Sequence, residues 1–196
     1  MPRTGMETVR KAQVIEATVH CILEKGLSRL SVKDIARQAG VSTGIIYHYF
    51  ENKSDLLLQV LKTSFQKSHE QAVNAVESKQ GAREKFSEHI RSIVRTPQDN
   101  PEFWAVLINF LGEAVHDPDI RDIINKFFHN LKSYMSGYLF NPETDAALSA
   151  TQNHALPTLV YALGLGLGIM WTLNPEAYGI GEMEKLVRDL WVSHLS

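Results

Sequence analysis

Cysteine is nearly missing from this chain of 196 residues: there is one, Cys21. A lone thiol excludes an intrachain disulfide framework and a cysteine-rich zinc site. Cys21 lies on an apolar helical stripe, so it reads as a small buried hydrophobe, and the expected compartment is a reducing cytoplasm. The first ten residues lack the apolar core of a signal peptide. Strand signals are lacking too: no run alternates apolar and polar residues, and no Asn-Gly or Asp-Gly pair marks a hairpin. There are no repeats and no low-complexity tracts. Gly164-Leu-Gly166-Leu-Gly168 has neither a strand before it nor a Lys-Ser/Thr after it, which excludes a phosphate loop. His116, Asp117, Asp119 and His129, the residues a helical metal-dependent hydrolase would use, fit no ligand spacing. With no paired catalytic constellation, the chain is expected to be no enzyme and to hold neither metal nor cofactor.

A net charge of −2 looks unsuited to nucleic acid until it is divided. Residues 1–62 carry nine Lys/Arg and six Asp/Glu, whereas the remaining 134 carry 11 and 16. The first third is therefore basic and the rest acidic, as expected of a nucleic-acid-facing part joined to a part that makes no such contact.

What is present is helix. Val14, Ala17, Thr18, Cys21 and Ile22 recur at helical spacing, as do Leu56, Val60 and Leu61. Gly26 and Gly40 are helix stops; Ser31-Val-Lys-Asp34 and Asn52-Lys-Ser-Asp55 have the shape of capping boxes with Asp in place of Glu. These signals predict an all-α fold with helices near 7–25, 32–39, 43–49, 53–78, 82–95 and 101–115. A turn over 96–100, bounded by Pro97 and Pro101, divides the last two. Three more follow: one opened by Asp117-Pro118 and lasting to about 140, one starting at Asn141-Pro142 and kinked or interrupted at Pro157, and one after Gly181. Residues 1–52 are expected to form one domain and 53–196 another, with the helix at 53–78 connecting them.

Between Ser31 and Lys53 two short helices joined by Ala39-Gly40-Val41-Ser42 make a helix-turn-helix. Ile35, Ala36, Ala39, Val41, Ile45 and Ile46 would form its core, leaving Thr43, Gly44, Tyr47, His48 and Tyr49 facing outward. Gly44 lets backbone approach DNA; the hydroxyls and imidazole suit phosphates and base edges. Ser31, Lys33 and Ser42 sit at helix starts, Lys53 adds charge to the N-terminus of the fourth helix, and Arg10 belongs to a basic N-terminal arm with Arg3 and Lys11. The expected partner is double-stranded operator DNA. An interaction module that keeps this fold without DNA binding is the alternative, and salt-dependent affinity separates the two.

The runs Ile15-Glu-Ala-Thr through Gly26, Ser31 through Phe50 and Asn52-Lys-Ser-Asp-Leu-Leu57 resemble the tetracycline-repressor (TetR) family. Within it, Met1-Pro-Arg-Thr-Gly-Met6 and Val41-Ser-Thr-Gly-Ile-Ile46 are most similar to the choline-responsive repressors of glycine-betaine synthesis. The resemblance implies an all-helical homodimer on a palindromic operator, released when a small molecule binds the second domain. It also implies dimerisation through the last two helices. Family members often carry an acidic residue before the glycine matched by Gly166; here that residue is Leu165.

Beyond residue 80 the signals are aromatic and apolar. Trp104, Phe110, Glu113, Tyr134 and Trp171 are the candidates for an effector pocket, with Glu113 and the rings suited to a cation. Gly164 and Gly168, four apart on one helix face, together with Leu186, Leu190 and Trp191, are the candidates for a dimer interface. Ala155–Leu173 has no charge over 19 residues, the length of a membrane span; Pro157, its glycines and the missing basic flank read instead as a buried dimer helix, and no membrane partner is expected.

Overall fold

The computed structural model describes residues 4–139, 150–177 and 179–192, and the side chains of 7–139, 155–177 and 179–190. Among the described residues every regular element is a helix. The elements are α1 (Thr4–Lys25), α2 (Val32–Ala39), α3 (Thr43–Tyr49), α4 (Lys53–Glu77), α5 (Gly81–Asp99), α6 (Pro101–Glu113), α7 (Pro118–Leu139), α8 (Ala150–Leu173) and α9 (Ile180–Val192). They form two compact units, both discontinuous in sequence: Met1–Gln66 with Pro101–Asn125, and Lys67–Asn100 with Lys126–Ser196.

In the first unit α1 turns Val14, Ala17, Thr18, Cys21 and Ile22 inward, all buried as their spacing dictates. Burial also raises the Cys21 thiol above its ordinary pKa, which keeps it protonated and unreactive. Gly26, at φ +74°, stops the helix. α1 packs against α2 and α6, and α2 against α3. The start of α7 follows from local chemistry: the Asp117 carboxylate accepts from the N–H groups of Asp119 and Ile120 at 2.9 and 3.2 Å, with Pro118 in the first helical position.

In the second unit α5 packs against both α8 and α9. Its inward stripe is Phe86, His89, Ile90, Val94 and Pro97. The sequence places a turn at 96–100, but α5 runs on to Asp99. A proline in the last turn removes only one ladder bond. The Thr96 hydroxyl donates to the Ser92 carbonyl at 2.7 Å, and the Asn100 N–H reaches Thr96 O at 3.0 Å, so the chain stays helical around it. α8 likewise passes through Pro157 without interruption. The expected start of that helix at Asn141-Pro142 lies outside the described residues.

Candidate nucleic-acid interface and ligand site

The helix-turn-helix is held by caps at every joint. The Ser31 hydroxyl oxygen accepts from the Asp34 N–H at 3.2 Å, while the Asp34 carboxylate accepts from the Ser31 N–H at 3.3 Å, a full capping box. Asp34 also takes the Lys25 ammonium at 2.7 Å and the Arg37 guanidinium at 2.6 Å. The Lys25 and Ser31 hydrogen bonds hold its carboxyl well below the usual carboxylate range. Gly40, at φ +63°, ends α2; its N–H bonds Arg37 O and the Val41 N–H bonds Ala36 O. That paired arrangement is a Schellman motif, and it needs the left-handed conformation that glycine adopts freely. Ser42 then caps α3 by accepting from the Ile45 N–H at 3.3 Å.

With α3 fixed in this way, only Ile46 of its residues is buried. Gly44, Tyr47 (54% exposed) and His48 face outward, as expected, while Thr43 and Tyr49 are half-buried. Ile45 is 38% exposed and Val41 half-buried, so neither belongs to the core in which the sequence placed them. On a helix of seven residues the buried stripe is too narrow for two adjacent isoleucines, and Ile46 takes it. Ser31, Lys33 and Ser42 are exposed at the helix starts. Arg10 donates to Gln13 at 2.8 Å, and Gln13 donates to Ala39 O at 2.7 Å. The arm residue is thereby tied to the end of α2 through Gln13, a link the sequence did not announce. Lys53 donates to the carbonyl of Leu30, so this lysine braces the α1–α2 connection as well as marking the start of α4. Arg3 lies outside the described residues.

The second unit holds a polar knot inside an apolar core. His89 is 0% exposed, and both of its ring nitrogens meet phenols: Nδ1 with Tyr138 Oη at 2.7 Å, and Nε2 with Tyr161 Oη. A neutral imidazole offers one donor and one acceptor, so one phenol donates and the other accepts. Burial, aided by nearby His69, lowers the imidazole pKa to about 4. The rings of Tyr134 and Phe128 border the same cluster: Tyr134 lies 6.1 Å from His89 and 5.5 Å from Tyr138, and Phe128 lies 6.1 Å from Tyr161. Tyr134 donates its hydroxyl to Glu77 at 2.6 Å, and Lys85 donates to the same carboxylate at 2.8 Å. These two bonds, Lys85 first, hold the Glu77 carboxyl below its ordinary range.

Of the residues the sequence nominated for a pocket, Tyr134 alone is in this cluster. Trp104 and Phe110 are buried core of the first unit, and Glu113 is exposed at the end of α6. Trp171 lines a separate apolar hollow of about 200 Å³ with Val94, Leu167, Met170, Ile180 and Met183. His89, Tyr138 and Glu77 were missed. One signal was available: His89 falls on the stripe Phe86, Ile90, Val94 of α5, and a titratable residue on an inward face needs buried partners. Among the described residues no three His, Cys, Asp or Glu gather as a metal site would require.

α8 has two faces. Val160, Tyr161, Gly164 and Gly168 are buried; Leu159, Leu163, Ile169, Met170 and Leu173 form an exposed apolar stripe. A Cβ at Gly164 would stand 2.0 Å from Ile93 Cγ2, so this glycine serves the approach of α8 to α5 within the chain. Gly164 and Gly168, expected at a dimer interface, are therefore buried within the chain, and Gly166 is exposed. Leu186 and Leu190 of α9 are 56% and 55% exposed, while the side chain of Trp191 lies outside the described residues.

Two family models match the chain: "Bacterial regulatory proteins, tetR family" over residues 14–60, and "BetI-type transcriptional repressor, C-terminal" over residues 82–196. The chain belongs to the BetI-type branch of the TetR family. The regulator is 30% identical over 191 residues to the HTH-type transcriptional regulator BetI of Agrobacterium fabrum, covering 96% of this chain and 89% of that protein. It is 51% identical over 57 residues to the BetI of an Escherichia coli strain, an alignment that spans 29% of each chain. In fold it is similar to a transcriptional regulator from Saccharomonospora viridis solved in complex with choline. The TM-score is 0.82 at 21% identity, over 93% of this chain and 95% of that one.

Proposed function

We propose that the regulator works as a homodimeric repressor that leaves a palindromic operator when a small cationic molecule binds its second unit. The observation that carries this reading is the outward face of α3. Gly44, Tyr47 and His48 stand clear on a frame that Ser31, Asp34, Gly40 and Ser42 make rigid. A helix presented so enters the major groove, and Ser31, Lys33, Ser42, Thr43, Tyr49, Lys53 and Arg10 flank it as groups for phosphate.

The partner copy is argued from the exposed stripe of α8 with Leu186 and Leu190, apolar surface that a second chain would cover. Ala155–Leu173 is long and apolar enough to cross a membrane by length and composition alone. Pro157 within it and the seating of Gly164 on Ile93 favour a protein partner over lipid, and hence a cytoplasmic dimer. The effector site is argued from the tyrosines. Tyr134, Tyr138 and Tyr161 gather three aromatic rings around His89, a composition that suits a cation, and the Glu77 carboxylate, shared with Lys85, stands at Tyr134. Choline in the Saccharomonospora viridis neighbour supports the same class. No catalytic role is assigned to any residue.

Footprinting on the DNA upstream of its own gene, with and without choline, tests the reading. Protection of a palindrome that disappears as choline is added is the expected result. An unprotected fragment at moderate salt removes the operator reading; protection indifferent to choline removes the effector class and leaves the DNA contact standing.

A further inference from the structure

α1 and α2 both end on a glycine in the left-handed region, yet their ends are closed differently. Behind Gly40 the next N–H, that of Val41, folds back onto Ala36 O at 3.0 Å. Behind Gly26 only the glycine's own N–H returns to the helix, to Ile22 O at 2.9 Å. The next N–H, that of buried Leu27, goes instead to the side chain of Asn109 on α6, with Oδ1 at 2.9 Å, across 82 residues of sequence. The other end of the amide is also fixed, because Nδ2 donates to Ala105 O at 2.9 Å. A donor at Leu27 and an acceptor at Ala105 allow one orientation of the amide only. Space agrees: a Cβ at residue 26 would lie 3.4 Å from Asn109 Oδ1, so glycine permits both the turn and the approach. The same two helices bring His20 and Glu102 to 4.0 Å, and Phe65 of α4 meets Phe103 of α6 at 5.5 Å between ring centroids.

We infer that Asn109 is a positioning residue for DNA binding: its carboxamide completes the C-terminal cap of α1 and thereby fixes the α1–α2 corner on which the recognition helix is mounted. That corner is where Lys25 reaches Asp34 and Lys53 reaches Leu30 O, so its backbone sets where α2 begins and where α4 departs. Asn109 touches no DNA in this scheme. It acts through Leu27, and the inference rests on the DNA-binding reading of α3.

The test compares Asn109→Leu, which matches the side chain in size and removes the acceptor, with Asn109→Asp, which keeps an acceptor for the Leu27 N–H. The probe is the duplex that the unaltered protein selects from a random pool. If that protein selects none, the DNA-binding reading has failed before the variants are compared. Asn109→Leu should weaken binding by roughly three- to tenfold, the effect of one part-buried hydrogen bond to backbone. It should also speed deuterium uptake in the peptide spanning residues 23–30, with Asn109→Asp, which keeps the Leu27 acceptor but turns an oxygen toward Ala105 O, falling between Asn109→Leu and the parent in both. Parental affinity in Asn109→Leu overturns the inference. So does an Asn109→Asp no better than Asn109→Leu, because the acceptor it restores to the Leu27 N–H would then contribute nothing.

Discussion

Mild acid should destabilise this regulator chiefly through His89. Its imidazole is fully buried, and burial lowers its pKa from 6.5 to about 4. As the pH falls the unfolded chain takes up the proton first, so stability is complete above pH 6.5 and is lost progressively toward about pH 4. Down to about pH 5 the gap is roughly 1.5 pH units, worth about 2 kcal/mol at some 1.4 kcal/mol per unit. For a chain of this size that corresponds to a fall in melting temperature of roughly 4–8 °C. The carboxyls of Asp34 and Glu77, held low by their partners, release their own stabilisation only in more acid solution, so the window above about pH 5 isolates the histidine. The assay is thermal unfolding of the parent and of His89→Gln at fixed protein concentration, since a dimer melts in a concentration-dependent way. Glutamine keeps a donor and an acceptor toward Tyr138 and Tyr161 but cannot take a charge. The variant should start from a lower melting temperature near neutrality and stay flat to about pH 5 while the parent falls. An equal fall in both proteins, or no fall in the parent, refutes the reasoning.

Four further outcomes follow from the geometry. Tyr47→Ala should weaken operator binding by about tenfold or more and leave the melting curve unchanged, since the side chain is 54% exposed; anisotropy with a labelled duplex measures it. Gly164→Ala should cost about 1–3 kcal/mol because its Cβ would meet Ile93 Cγ2. Gly137→Ala, in a helix with open space around it, should gain about 0.5–1 kcal/mol, and urea titration would show the opposite signs. Leu186→Glu should shift the species seen by light scattering from dimer to monomer without loss of helix, because Leu186 is exposed within one chain. A dimer that survives would move the interface elsewhere.

The helix-turn-helix was legible from the sequence because its determinants are local. Ser31 with Asp34, Gly40, and Ser42 act over three or four residues, and the helix period alone sends Tyr47 and His48 outward once Ile46 is inward. The same locality explains the error at Ile45: the pattern marks both isoleucines as apolar, and only the packed neighbours choose between them. The second unit was less legible because its polar cluster is assembled from α4, α5, α7 and α8. His89 and Tyr161 are 72 residues apart, and no spacing rule joins a histidine to three tyrosines on other helices. The Leu163–Ile169 glycine series shows the limit most plainly. The sequence marked Gly164 and Gly168 as a face for a partner chain; the contact of Gly164 with Ile93 turns that face inward and leaves Gly166 outside. Sequence alone determined which segments are helical, the turn expected at 96–100 excepted, and where α2 and α3 are capped, because these caps and the helix period are short-range. Tertiary structure decided which face of each helix is free, and that Asn109 finishes α1, because those outcomes depend on what arrives from elsewhere in the chain.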